Sequence, residues 1–204
     1  MIRAHQLRWL NLKSELIELL LEAGADGDQG NGRMMHTALT NRHSGDIARL
    51  LHVEGVKIDM RFAAALNLMD EVEGFFEPDG SLRADAVSRY HLSPDAGKMS
   101  DRKILNESLS YAAFWGNEEI ADLLLDRGAE IDSKPPKVYR PEGRGHTPLH
   151  AAVNGDQPAM VQYLLENGAD PSVSDNNWDD TPLDWAQWRG DKETIQMLRE
   201  AENE

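Results

Sequence analysis

Hydrophobic residues in this chain fall into short runs at helical spacing, grouped in pairs with tight polar turns between them. In the clearest pair, Leu149, Ala151, Ala152 and Val153 form a narrow face of small side chains that permits close helix packing. Met160, Val161, Leu164 and Leu165 then recur at the spacing of an amphipathic helix. Polar residues set the limits of both. Thr147 stands where a helix N-cap belongs, and Pro148 occupies the first turn, where it needs no donor and its φ is already helical. Gly155-Asp156 turns the chain, and Gly168 ends the second helix in the left-handed conformation that glycine adopts cheaply. The pattern predicts two antiparallel helices and an extended turn as one unit.

That unit recurs. Thr181-Pro182-Leu183-Asp184-Trp185-Ala186, running on to Met197-Leu198-Arg199, overlies the stretch from Thr147 to Asp170. The second half alone reappears as Leu123-Leu124-Leu125-Asp126-Arg127-Gly128-Ala129-Glu130 and as Leu19-Leu20-Leu21-Glu22-Ala23-Gly24-Ala25-Asp26. A unit this small cannot close its own core, so neighbouring copies must stack. These motifs resemble the ankyrin repeat, which has a period of about 33 residues and a Thr-Pro-Leu-His signature. The resemblance implies an all-α solenoid of helix-turn-helix units joined by β-turn or hairpin loops. It is strong in Thr147–Asp170 and Thr181–Leu198 and good over Glu107–Glu130, where Ser108-Leu109-Ser110-Tyr111 replaces the signature. It weakens toward the N-terminus, through Phe62–Phe76 and Met34–Leu51 to Ser14–Gly24. With that period as ruler, the chain reads as a single domain of about six units. They are an N-terminal cap over 1–30, repeats over about 31–59, 60–106, 107–145 and 146–178, and a C-terminal cap over 179–204.

Two stretches exceed the period. Ser81 to Asn106 is an insertion with a helix-like segment, Arg83–Tyr90, and Ser133–Gly145 lengthens the loop between the fourth and fifth units. Pro135, Pro136, Tyr139 and Pro141 would stiffen that loop into a projecting finger. The last unit ends in Arg199-Glu200-Ala201-Glu202-Asn203-Glu204, the polar outer face that a terminal repeat needs.

Composition narrows the chemistry. The 204 residues carry a formal net charge of −15, which favours solubility and opposes approach to polyanions. The nearest basic group, Lys134, Lys137, Arg140 and Arg144, is scattered through a loop, so nucleic acid is not an expected partner. No apolar run reaches the 18 residues of a membrane span, and residues 1–21 lack the features of a secretory signal. There is no Cys, which removes disulfides and thiolate chemistry and fits a cytoplasmic protein. A nucleotide-binding loop, a nucleophile elbow and an HExxH zinc motif are all missing. His150 holds the signature position, where the resemblance implies a hydrogen bond to backbone of neighbouring turns; His36 holds the corresponding place in the second unit. No cofactor, metal or catalytic residue is expected, and the chain does not read as an enzyme.

The aromatic residues carry the functional expectation. Ankyrin units vary most at the end of the first helix and at the loop tip, which by the resemblance line a concave groove. Here those positions hold Phe114 and Trp115, then Asn154, then Trp188 and Arg189, with Asn177 and Trp178 at a loop tip. Asn41 and Arg42 extend the row toward the N-terminus. Tryptophan and arginine are the types that dominate binding interfaces. Trp185, on the small-residue face, reads as packed between helices. The expectation is a monomeric protein-binding module that holds a basic or apolar segment of another protein in the groove. An alternative is a small-ligand-binding or enzymatic protein, its pocket formed by the two insertions over the groove from Tyr90, His91, Tyr111, Trp115 and His146.

Overall fold

The computed structural model describes residues 17, 19, 23, 33–40, 44–86, 100–135 and 145–203. The helices run in hairpins: α1 (Arg33–Leu39) with α2 (Gly45–Val53), α3 (Met60–Leu66) with α4 (Met69–Gly74), α5 (Asp101–Trp115) with α6 (Glu118–Asp126), α7 (Pro148–Gly155) with α8 (Pro158–Glu166), and α9 (Pro182–Arg189) with α10 (Lys192–Ala201). First helices stack in order, α1 on α3, α3 on α5, α5 on α7 and α7 on α9. The described residues form no strand, and an isolated antiparallel bridge joins Phe76 to Leu82. The architecture is the expected all-α solenoid.

The stack is close because its inner faces are small. Ala63, Ala64, Ala112, Ala113, Ala151, Ala152 and Ala186 are all buried, and they let successive first helices approach backbone to backbone. One close approach is at Gly155, where an added Cβ would lie 1.9 Å from the Phe114 carbonyl oxygen. Second helices supply the large apolar side chains, among them Ile120, Leu124, Met160, Leu164 and Leu198, all buried.

Local chemistry sets the limits of each helix. Thr147 and Thr181 cap α7 and α9 through capping boxes, each followed by Pro at the first helical position. Gly168 takes φ +87° just beyond α8, as the sequence predicts. Asn67 and Asp156 occupy the same left-handed region at the ends of α3 and α7, where their short polar side chains make it tolerable. One bound differs from the sequence reading: α5 begins at Asp101, capped by Ser100, so residues 101–106 of the expected insertion belong to a long first helix. The remainder of that insertion's helix-like segment, from Val87 on, lies outside the described residues.

Apolar packing divides into two clusters. The larger runs from Met60 to Leu198 and holds α5 to α10 together. The smaller gathers Met35, Leu39, Leu51, Phe62 and Leu66 around α1 to α3, with Tyr111 and Trp115 of α5 packed against it. Between the two clusters sits a buried charge group that the sequence reading did not anticipate. Arg61, 2% exposed, donates to Asp59 (Nε, 3.1 Å; Nη2, 2.5 Å) and to Glu107 (Nη1, 2.9 Å). Burial alone would lower the Arg61 pKa, but the Asp59 and Glu107 carboxylates outweigh it and hold the guanidinium charged. Burial raises the Glu107 pKa despite the facing guanidinium. Asp59 also accepts from the Phe62 amide and so caps α3.

Candidate binding surface

The row of residues at the ends of the first helices splits into two kinds. The penultimate position of the helices α5, α7 and α9 is held by Phe114, Asn154 and Trp188. Phe114 and Asn154 are half-buried, whereas Trp188 is 88% exposed. The final position, Trp115, Gly155 and Arg189, turns back on the preceding part of the array. Trp115 donates its indole N–H to the Leu39 carbonyl at the end of α1 (2.9 Å), and its ring packs against Gly45, where a Cβ would lie 2.8 Å away. Gly155 abuts Phe114. Arg189 points to Asp156 at the end of α7 (3.7 Å), its side chain only 15% exposed. The sequence reading of Trp115 as an exposed groove side chain is therefore corrected: it is half-buried and joins α5 to α1. Arg189 is likewise tied into the stack.

Tyr111, one turn before Trp115, makes the same reach. Its hydroxyl lies 2.6 Å from His36 Nδ1 and its ring meets Phe62 edge to face. Burial, and then the Arg61 charge, lower the His36 pKa from an ordinary 6.5 to about 4, so His36 is neutral at physiological pH.

At the other end of the array, Asp175 organises the loop before α9. It is 3% exposed; Oδ1 accepts from the amides of Asn177 (2.6 Å) and Trp178 (2.8 Å), and Oδ2 from the Trp185 indole (2.8 Å). Burial would raise its pKa, but these donors win and hold it low. The same carboxylate thus anchors a packed indole and the turn that carries an exposed one: Trp178 is 68% exposed. Asn177, half-buried, presents no free side-chain face comparable to it. Trp185 lies between helices as expected, its ring against His146 and His150.

His150 performs the role that the resemblance implied. The Thr147 amide can only donate, so Nδ1 accepts from it (3.3 Å), leaving Nε2–H to donate to the Asp180 carbonyl (3.0 Å). One neutral imidazole joins the cap of α7 to the loop of the next unit, and burial lowers its pKa accordingly.

The residues of the alternative pocket do not share one place. Tyr111 and Trp115 face the α1–α3 cluster, His146 stacks on Trp185, and Tyr90 and His91 lie outside the described residues, as do Asn41 and Arg42. Among the described residues no group of three His, Cys, Asp or Glu could hold a metal ion, and no helix is long and apolar enough to cross a membrane.

Comparison with known proteins bears on the same region. Residues 109–204 match the family description "Ankyrin repeats (3 copies)". These residues are ankyrin repeats. The matched repeats are α5 to α10, the units with the strongest signatures. Human Ankyrin repeat and SOCS box protein 6 is 35% identical over 82 residues, 40% of this chain and 18% of that protein. Ankyrin repeat protein nuc-2 of Neurospora crassa is 41% identical over 88 residues, 42% of this chain and 7% of that protein. Oxysterol-binding protein-related protein 1 of Mus musculus is 37% identical over 93 residues, 46% and 9% respectively. The chain spans less than a fifth of each of these relatives, so what they share with it is the repeat. Ankyrin repeats are in general protein-interaction modules.

Proposed function

We propose that this ankyrin array binds a protein partner along the ends of its first helices and its loop tips, with Trp188 and Trp178 as anchors. Phe114, Asn154 and Asn177 contribute the surrounding contact, while Trp115 and Arg189 fix the frame from behind. The observation that carries the reading is Trp188: an indole 88% exposed, in the same helix position as Phe114 and Asn154. Leaving so large an apolar side chain in water is unfavourable unless something covers it, and buried indoles are frequent hot spots of interfaces. The high negative charge supports steering of the partner and works against polyanions. The lack of cysteine supports a cytoplasmic setting.

The test is quantitative capture by the immobilised chain and by a Trp178→Ala/Trp188→Ala variant, its fold checked by circular dichroism. Proteins retained by the first and lost by the folded second are expected. Identical sets retained by both would contradict the proposal.

A further inference from the structure

We infer that the segment held at the last unit is cationic, with Arg or Lys side chains seated on the faces of Trp178 and Trp188. This rests on the binding reading above and adds the chemistry of the partner. Both exposed indoles stand beside fixed carboxylates. Asp179 and Asp180 follow Trp178 directly; Asp179 has φ +61° and accepts from the Ser174 hydroxyl (2.6 Å). Asp184 lies one turn before Trp188, on the same side of α9, and is exposed; its place is set by the capping box with Thr181.

Of the cations near this loop, Lys134 donates to the Ser174 carbonyl (3.2 Å), and those of the last two units lie elsewhere. Between Gly145 and Asn203 there are eleven Asp and Glu against three Lys and Arg. Arg189 is turned back to Asp156, and Lys192 and Arg199 belong to α10, the second helix of the terminal unit. A wholly apolar partner covering the indoles would strip water from these carboxylates without replacing it. An acidic partner would meet like charge. A guanidinium or ammonium satisfies both features at once, because an indole face attracts a cation and the neighbouring carboxylate completes its pairing.

A short peptide of arginines spaced by glycine and serine tests this, compared with its citrulline counterpart, which keeps the shape and removes the charge. Affinity is read by fluorescence anisotropy, and the indole N–H resonances by NMR. The arginine peptide is expected to move the Trp178 and Trp188 resonances and leave those of Trp115 and Trp185 in place. The citrulline peptide should bind about tenfold more weakly or worse. Trp178→Ala/Trp188→Ala keeps the net charge, so its affinity for the arginine peptide should also fall about tenfold. Equal affinity for the two peptides would overturn the inference. So would undiminished binding by the double variant, which would mean diffuse attraction to an acidic surface. An uncharged leucine-rich peptide that bound through the same two indoles, independent of salt, would refute the cationic partner while leaving the binding surface intact.

Discussion

Between α7 and α9 the join is made by a neutral imidazole, held by its threonine cap and donating to the Asp180 carbonyl, and by a row of buried alanines. Between α1, α3 and α5 it is made by a buried guanidinium with two carboxylates, and by Tyr111 and Trp115 reaching from α5 to α1 across the short helix α3. The C-terminal half uses parts that repeat, so each joint is local and each works alone. The N-terminal half uses parts that occur once, drawn from positions 36, 59, 61, 107, 111 and 115, so its joints are interdependent. The difference also decides which tryptophans are available. Trp115, at the final position of its helix, is consumed by stacking in the irregular half, whereas the final position of α9 is held by Arg189, and Trp188, one place earlier, is left in water.

The strongest blow to that contrast would fall on the charge group. Arg61→Met leaves Asp59 and Glu107 buried without their cation and is expected to destabilise by about 3–5 kcal/mol in urea unfolding. Replacing all three residues with apolar ones of similar volume should recover most of that loss, since a buried ion group is seldom better than good packing. Next comes Gly155→Ala, a small change at a tight point of the regular half. Its methyl group would press on the Phe114 carbonyl and force α5 and α7 apart, at about 1–3 kcal/mol. Thr147→Ala, which removes a cap and the hydroxyl partner of His150, should lower stability by about 1 kcal/mol.

Acid sharpens the comparison. Because the folded pKa of His36 lies below its ordinary 6.5, the unfolded chain binds more protons between pH 6.5 and about 4. Stability contributed by the neutral imidazole is therefore full above 6.5 and is lost as pH falls toward 4. His36→Gln should flatten that part of the stability–pH curve while leaving the contribution of His150, whose pKa burial also lowers.

How much of this was legible in the sequence follows the same division. Thr147-Pro148, Thr181-Pro182, Gly168 and the leucine spacing each act within a few residues, so the fold and the helix limits of the C-terminal half could be read directly. The role of His150 came with the repeat signature. Arg61 could not be read this way: its partners are 2 and 46 residues away, and nothing local marks Glu107 as buried. The turning of Trp115 was equally hidden, because it depends on Gly45 leaving room for the ring and on the Leu39 carbonyl as acceptor, 76 residues away. The loop before α9 shows an intermediate case. Trp178 was legible as a loop-tip residue, but the buried Asp175 that holds it resembled any other acidic residue of an acidic chain.

The central claim is that the tryptophan row is divided, with Trp115 holding the array together and Trp188 held out for a partner. Equilibrium urea unfolding of Trp115→Ala beside Trp188→Ala tests it in one experiment. A loss of about 2 kcal/mol or more for Trp115→Ala, with Trp188→Ala within about 0.5 kcal/mol of the parent, is the predicted result. Comparable losses for both variants, or a larger loss at Trp188, would contradict it.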